Sequence, residues 1–238
     1  MQVRNLRVGA SLNTVRTLVA ILKGIVSSPE KHMNDSIESL RKRAKAGEPS
    51  AQYELAKKLW DGDGVKQNKD EALNLYRQAA SQGDPDHQMG LGLALCWDEG
   101  KHRNFAEGFD WILKAAEQGH LGAQYFVAAE YAVGENVSRN PTEAVKWYRR
   151  AAESGHAEAQ YNLAVMYSEG DGVQADLAKF KHWLLLAGKN GEMLAEQLLS
   201  KVYDQGLWGF PKDPAEAAHW QQLYEKSTRE PKHTPRGQ

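Results

Sequence analysis

From about residue 50 to residue 225 the apolar side chains fall into short stripes at helical spacing, two stripes to every 36 residues. In the first full unit, Ala51 to Asp86, the residues Leu55, Ala56 and Leu59 share one face of a helix predicted from about Ser50 to Trp60. The turn Asp61-Gly62-Asp63-Gly64-Val65 follows, where glycine accepts a left-handed backbone and stops the helix. A second helix is predicted from about Lys69 to Ser81, burying Ala72, Leu75, Tyr76, Ala79 and Ala80. Gly83 ends it and Pro85 discourages continuation.

Each of these positions returns one period later. The unit openings read Ala51-Gln52-Tyr53, His87-Gln88-Met89, Ala123-Gln124-Tyr125, Ala159-Gln160-Tyr161 and Ala195-Glu196-Gln197, without slippage. Leu75 becomes Trp111, Trp147, Trp183 and, after one inserted residue, Trp220. The pair Ala79-Ala80 becomes Ala115-Ala116, Ala151-Ala152 and Ala187-Gly188. A fixed period of this length marks a stacked array, in which each unit buries its apolar face only against its neighbours. Small residues let helices approach closely, and the tryptophan series is expected to fill the space between layers as packing residues.

The motif Ala-x-x-x-Leu-(Gly/Ala)-x-x-Tyr-x-x-Gly-x-Gly-Val, followed by Ala-x-x-Trp-Tyr-x-x-Ala-Ala-x-x-Gly, resembles the Sel-one-like repeat, a relative of the tetratricopeptide repeat. The third unit carries it in Ala144, Trp147, Tyr148, Ala151, Ala152 and Gly155, and the fourth in Ala159, Leu163, Ala164, Tyr167, Gly170, Gly172 and Val173. The resemblance runs from residue 51 to about 224 and implies an all-α, right-handed α-solenoid superhelix. About five 36-residue helix-turn-helix units and capping helices are expected. Four segments follow: a basic amphipathic stretch over 1–29, a degenerate capping half-repeat over 30–50, the solenoid over 51–226, and a disordered tail over 227–238. Unit five, with Gly206-Leu207-Trp208-Gly209-Phe210-Pro211 in a longer turn and Tyr224-Glu225 in place of the small pair, reads as a terminal cap.

Charge is uneven along the chain. Residues 1–29 hold Arg4, Arg7, Arg16 and Lys23 and no acid, and the tail from 226 holds four bases against Glu230. The net charge of −1 therefore leaves −8 on residues 30–225. An acidic body disfavours nucleic acid and favours a basic protein surface as partner. The single cysteine, Cys96, excludes a disulfide scaffold and points to a reducing compartment, hence the cytoplasm. Apolar residues at 12, 15, 18, 19, 22, 25 and 26 fit one helical face. That segment is expected to pack on the first repeat. A membrane-peripheral, exported or mitochondrial role through it stays open.

No catalytic or cofactor chemistry is legible. There is no Gly-x-Ser-x-Gly elbow, phosphate loop, His-x-x-x-His or Cys-x-x-Cys. Asp61-Gly62-Asp63-Gly64 has the start of a calcium loop but lacks its continuation, and Glu169-Gly170-Asp171-Gly172 repeats it as turn chemistry. Neither a metal nor a cofactor is expected. The resemblance implies a non-catalytic protein-interaction module acting as adaptor, regulator or inhibitor, one form being a bacterial immunity protein that occludes a toxic effector. The alternative is a hydrolase of the β-lactamase-like type proposed for cysteine-rich relatives, whose paired cysteines this chain lacks. In the tetratricopeptide relatives the non-stripe face of each first helix lines the concave surface. Here that face would present Tyr53, Lys57, Trp60, Met89, Trp97, Tyr125, Tyr161, Glu169 and Lys201 to a protein partner. The recurring Tyr53, Tyr125 and Tyr161 are equally readable as packing residues. Trp60 and Trp97 break the pattern and weigh more as recognition residues.

Overall fold

The computed structural model describes residues 36–229, which hold eleven helices and no strand. The amphipathic stretch over 1–29 and the tail beyond Arg229 lie outside the described residues. A capping helix α1 (Ile37–Lys45) precedes five pairs: α2 (Pro49–Asp61) with α3 (Lys69–Ala80), α4 (Pro85–Trp97) with α5 (Phe105–Glu117), α6 (Leu121–Val133) with α7 (Pro141–Glu153), α8 (Ala157–Glu169) with α9 (Leu177–Lys189), and α10 (Met193–Gln205) with α11 (Pro214–Arg229). The described chain falls into two compact units, one ending at Val127 and one beginning at Ala128. The last helix reaches Arg229, so residues 227–229, expected in the tail, are helical.

The helix ends follow from side-chain chemistry at fixed register. Asn68, Asn104, Asn140 and Asp176 each cap a second helix, their side chains accepting the amide of the third residue on: Glu71, Glu107, Glu143 and Lys179. The amide of each cap is tied back to the preceding first helix, from Asn68 to the Leu59 carbonyl at 2.9 Å and from Asp176 to the Tyr167 carbonyl at 2.9 Å. The fifth unit keeps this tie, from Asp213 to Tyr203 at 2.8 Å, although its turn carries one more residue. The extra residue is absorbed at Trp208, which holds φ 50. That conformation costs a bulky side chain about 1–3 kcal/mol. Edge-on contact with Phe180, 5.6 Å between ring centroids, holds it.

Within the first unit, Leu40 and Ala44 of α1 pack with Ala51, Leu55 and Leu59 of α2 and with Ala72 of α3. Ala56, Leu73, Tyr76, Ala80, Leu91 and Leu95 form the next cluster, and half-buried Leu75 touches both. Each fully buried leucine contributes about 1.5–3 kcal/mol by leaving water. Close approach decides where side chains are absent. A Cβ on Gly92 of α4 would run into Ile112 and lie 2.7 Å from the Gly108 carbonyl of α5. In the second unit, Gly188 replaces the second alanine of the small pair because Trp220 lies against it, 2.8 Å from where its Cβ would be.

The tryptophan series is only partly interior. Trp147 and Trp220 are 8% and 4% exposed, whereas Trp111 and Trp183 are half-buried. The ring faces left open are covered one turn on: Lys114 Nζ lies 4.0 Å over Trp111 and the Arg150 guanidinium 4.6 Å over Trp147.

A polar ladder runs through this apolar stack. Buried Gln52, Gln88, Gln124 and Gln160 donate through Nε2 to the carbonyls of Ala44, Ala80, Ala116 and Ala152, at 3.3, 3.5, 3.3 and 2.9 Å. Glu196 occupies the fifth position, 3% exposed, with Oε2 lacking any hydrogen-bond partner.

Candidate functional site

Tyr53 leaves α2 and lies down against the next layer. Its ring stacks on His87 with 4.7 Å between centroids and meets Tyr76 edge-on at 5.3 Å. The absence of a side chain at Gly90 makes room for its hydroxyl, which a Cβ there would strike. Burial pushes the Tyr53 phenol far above its usual range, and the carboxylates of Asp86, Glu54 and Asp84 push the same way. His87 is 8% exposed, and its Nδ1 has no hydrogen-bond partner and faces Asp84 Oδ1 at 3.9 Å. Asp84 caps α4, accepting the amides of Asp86 and His87 at 2.9 and 3.0 Å. Asp86 is itself highly exposed and meets His120 Nε2 at 3.1 Å.

Trp60, at the far end of α2, is enclosed by a charged lock. Lys69 Nζ lies 4.8 Å over its ring and donates to Asp98 Oδ1 at 2.5 Å. The Asp98 carboxylate has no solvent exposure. Burial works against its charge, but the Lys69 ammonium and the amides of His102 and Gly100 outweigh that and hold its pKa below the usual carboxylate range. In this turn Asp98 stands where other units place a left-handed glycine, and its Oδ2 accepts the amides of Gly100 and His102 at 3.0 and 3.1 Å. His102 Nε2 reaches Asp70 at 2.9 Å. Trp60 is therefore packed between layers. Trp97 closes α4 as its last helical residue and is half-buried, edge-on to Phe126 at 5.1 Å, so it belongs to the helix end and not to an exposed turn. Met89 and Tyr125, 3% and 4% exposed, are interior, and Lys57 is half-buried.

In the second unit Tyr161 stands at the register of Tyr53 and is likewise half-buried. Burial raises its pKa, followed by the Glu192 and Glu169 carboxylates. Glu169 is exposed at the end of α8, its own pKa raised by partial desolvation and by Asp171. Lys201 is exposed on α10, which opens on two exposed apolar residues, Met193 and Leu194.

The face thus keeps Tyr53, Lys57, Tyr161, Glu169 and Lys201 within reach of solvent, leaves Trp60 and Trp97 as half-buried packing residues, and withdraws Met89 and Tyr125. It adds Glu54, Asp84, Asp86, His87 and His120 around Tyr53. One signal for these was in the chain: a histidine at 87 where the other units place alanine. Among the described residues no three His, Cys, Asp or Glu side chains gather as a metal ion would require. None of the described helices is long and apolar enough to cross a membrane.

The family model of the Sel1 repeat matches five times, at residues 49–84, 87–120, 122–156, 157–192 and 194–223. A protective antigen of uropathogenic Escherichia coli with an SLR fold is 32% identical over 80% of this chain, with a TM-score of 0.72. The chain spans 41% of the length of that protein. A Sel1 repeat protein from Oxalobacter formigenes is 30% identical, with 85% of this chain and 77% of that one covered and a TM-score of 0.65. An immunity protein of Pseudomonas aeruginosa, 20% identical over 91% of this chain and 81% of its own, shares the fold at a TM-score of 0.51. No curated protein matches the sequence.

Proposed function

The chain belongs to the Sel1 repeat family, an all-α solenoid of helix-turn-helix repeats used as a protein-interaction module, and on that premise we propose that it is a non-catalytic binder of a protein partner. The surface engaged is the open face of the first helices, presented by Tyr53 with its carboxylates in one unit and by Tyr161, Glu169 and Lys201 in the other. The observation that carries this reading is the recurrence, at one register of the first helices, of a tyrosine that stays half-buried, at Tyr53 and again at Tyr161. Such a residue offers an apolar face and a polar tip at little cost in conformational freedom, which suits a binding hot spot.

The partner is a protein with a basic surface, attracted by the acidic body. Binding would regulate, tether or occlude it. Occlusion of an effector is the form in which the Pseudomonas immunity protein serves as a fold analogy only. The single buried Cys96 fits a reducing compartment, which we take to be the cytoplasm.

Affinity capture with the full chain, followed by cross-linking and mass spectrometry of the complex, tests this reading. Cross-links should concentrate on the first helices, and the paired reversals Glu169→Lys and Lys201→Glu should weaken the complex while leaving the circular dichroism unchanged. Cross-links confined to α3, α5, α7 and α9, or substrate turnover by the purified protein, would overturn it.

A further inference from the structure

We propose that His102 is a pH-responsive clamp on the turn between α4 and α5. Charged, it ties Asp70 of α3 to Asp98 of the turn and closes the cover over Trp60; neutral, it lets one of the two carboxylates go. Both of its ring nitrogens face an acid. Nε2 lies 2.9 Å from Asp70 Oδ1, and Nδ1 lies 3.5 Å from Asp98 Oδ2. Only the imidazolium carries an N–H on each nitrogen, whereas the neutral ring donates from one and turns a lone pair outward on the other. A lone pair set toward a carboxylate oxygen is repelled. The arrangement therefore suits the charged ring at both ends and the neutral ring at one.

The turn is wired to feel that difference. Asp98 Oδ1 is taken by Lys69, and Oδ2, which also faces His102 Nδ1, accepts the amides of Gly100 and His102. A change at Nδ1 thus acts on the very oxygen that organises the turn. The His102 side chain is 13% exposed, open enough to exchange a proton with water, while Asp98 is enclosed, where charge contacts are strongest. Lys101 Nζ competes for Asp70 at 3.0 Å, but both of those groups are highly exposed and screened by water. From α2 comes the Trp60 ring, its centroid 6.2 Å from that of His102 and 4.8 Å below Lys69 Nζ. Two departures from the repeat meet here: Asp98 replaces a glycine, and His102 stands where other units place Lys66, Ser138 and Gln174.

Both acids keep their charge near neutral pH. Hydrogen bonds from His102 and Lys101 hold the Asp70 carboxyl below the usual range. At Asp98 burial works the other way, but Lys69 and the two turn amides outweigh it. That leaves an imidazole to change charge, as histidine ordinarily does between about pH 5 and 8. Since the charged ring holds two carboxylates and the neutral ring one, the turn is gripped more firmly on the acid side of that range and less firmly on the alkaline side.

The test follows amide hydrogen exchange of the full chain, corrected for the intrinsic rate, from about pH 5.5 to about pH 8, the span of an ordinary histidine titration. The amides of Gly100 and His102, which bond to Asp98, should lose about two- to fivefold of their protection across that span, the scale of a partly exposed ion pair. Amides of α9 serve as the reference and should not change. His102→Gln keeps a donor without a titrating charge and should make the protection flat with pH. Lys101→Met removes the competing cation at Asp70 and should leave the response intact. Circular dichroism verifies the fold of each variant. A response that is absent from the unaltered chain, survives in His102→Gln or disappears in Lys101→Met overturns the inference. The ¹⁵N spectrum of the imidazoles in the unaltered chain decides without any variant. A His102 ring with a single N–H at both ends of the span, or with two throughout, rules the clamp out.

Discussion

Glu196→Gln should make this protein more stable. Glu196 stands where Gln52, Gln88, Gln124 and Gln160 each donate an amide hydrogen to a carbonyl eight residues back, and the carbonyl in that place is the one of Gly188. A carboxyl group has no amide N–H to give, so the fifth rung of the ladder lacks its donor, and Oε2 is buried without a partner. A glutamine restores the donor, a net gain of about 0.5–1.5 kcal/mol, and removes an unpartnered buried acceptor whose penalty is about 1–3 kcal/mol. The two contributions overlap, so about 1–3 kcal/mol is expected in total. For a chain of this length that is a rise of about 2–12 °C in melting temperature. Repeat arrays open locally, so the gain should be concentrated in α10 and α11 and read best as slowed amide hydrogen exchange there. The mirror change Gln160→Glu breaks the bond to Ala152 at 2.9 Å and should lose a similar amount. If Glu196→Gln leaves both melting and exchange unchanged, or lowers stability, the ladder is not what organises this layer.

Other outcomes follow from packing and charge. Gly92→Ala places a methyl group against Ile112 and the Gly108 carbonyl and should cost about 1–3 kcal/mol in urea unfolding, the scale of an overpacked contact. Trp147→Ala empties a site that is 8% exposed and should cost about 3–5 kcal/mol. An unchanged midpoint would show that this ring is ornamental to the core. Glu130 is buried and its pKa is raised chiefly by burial, with Asn136 donating to it at 3.2 Å. A raised carboxyl supports the folded state below its unfolded pKa and loses that support as pH climbs through the folded one. Glu130→Gln should therefore stabilise the protein at pH 7, with that advantage shrinking as the pH falls through the raised pKa and gone once it is below the ordinary glutamate value, measured by urea midpoints across that range.

The binding face was legible only in outline. That Tyr53, Lys57, Tyr161, Glu169 and Lys201 reach solvent follows from their place off the apolar stripe. Trp60 and Trp97 stood out in sequence because they break the period, but a break in the period does not say which way a ring points. The Trp60 ring turns inward because Lys69, drawn by the buried Asp98, lies across it. Asp98 stands in the sequence where other units have glycine, yet its role as a buried anion depends on Lys69, which α3 brings to it from 29 residues back. Met89 and Tyr125 share the register of Tyr53 and are nonetheless buried.

The helix pairs, their boundaries to within a residue or two, and their stacking period are all properties of the chain read as a string. Caps, glycine stops and apolar spacing act over a few residues, and repetition multiplies the signal fivefold. Contacts between layers are another matter, because they join residues about 30 positions apart whose side chains choose one partner among several. The Gln118 and Asn190 amides that donate to Gln88 and Gln160, and the carboxylates around Tyr53, were settled there, where burial sets the strength of every polar contact and only the packed arrangement determines burial.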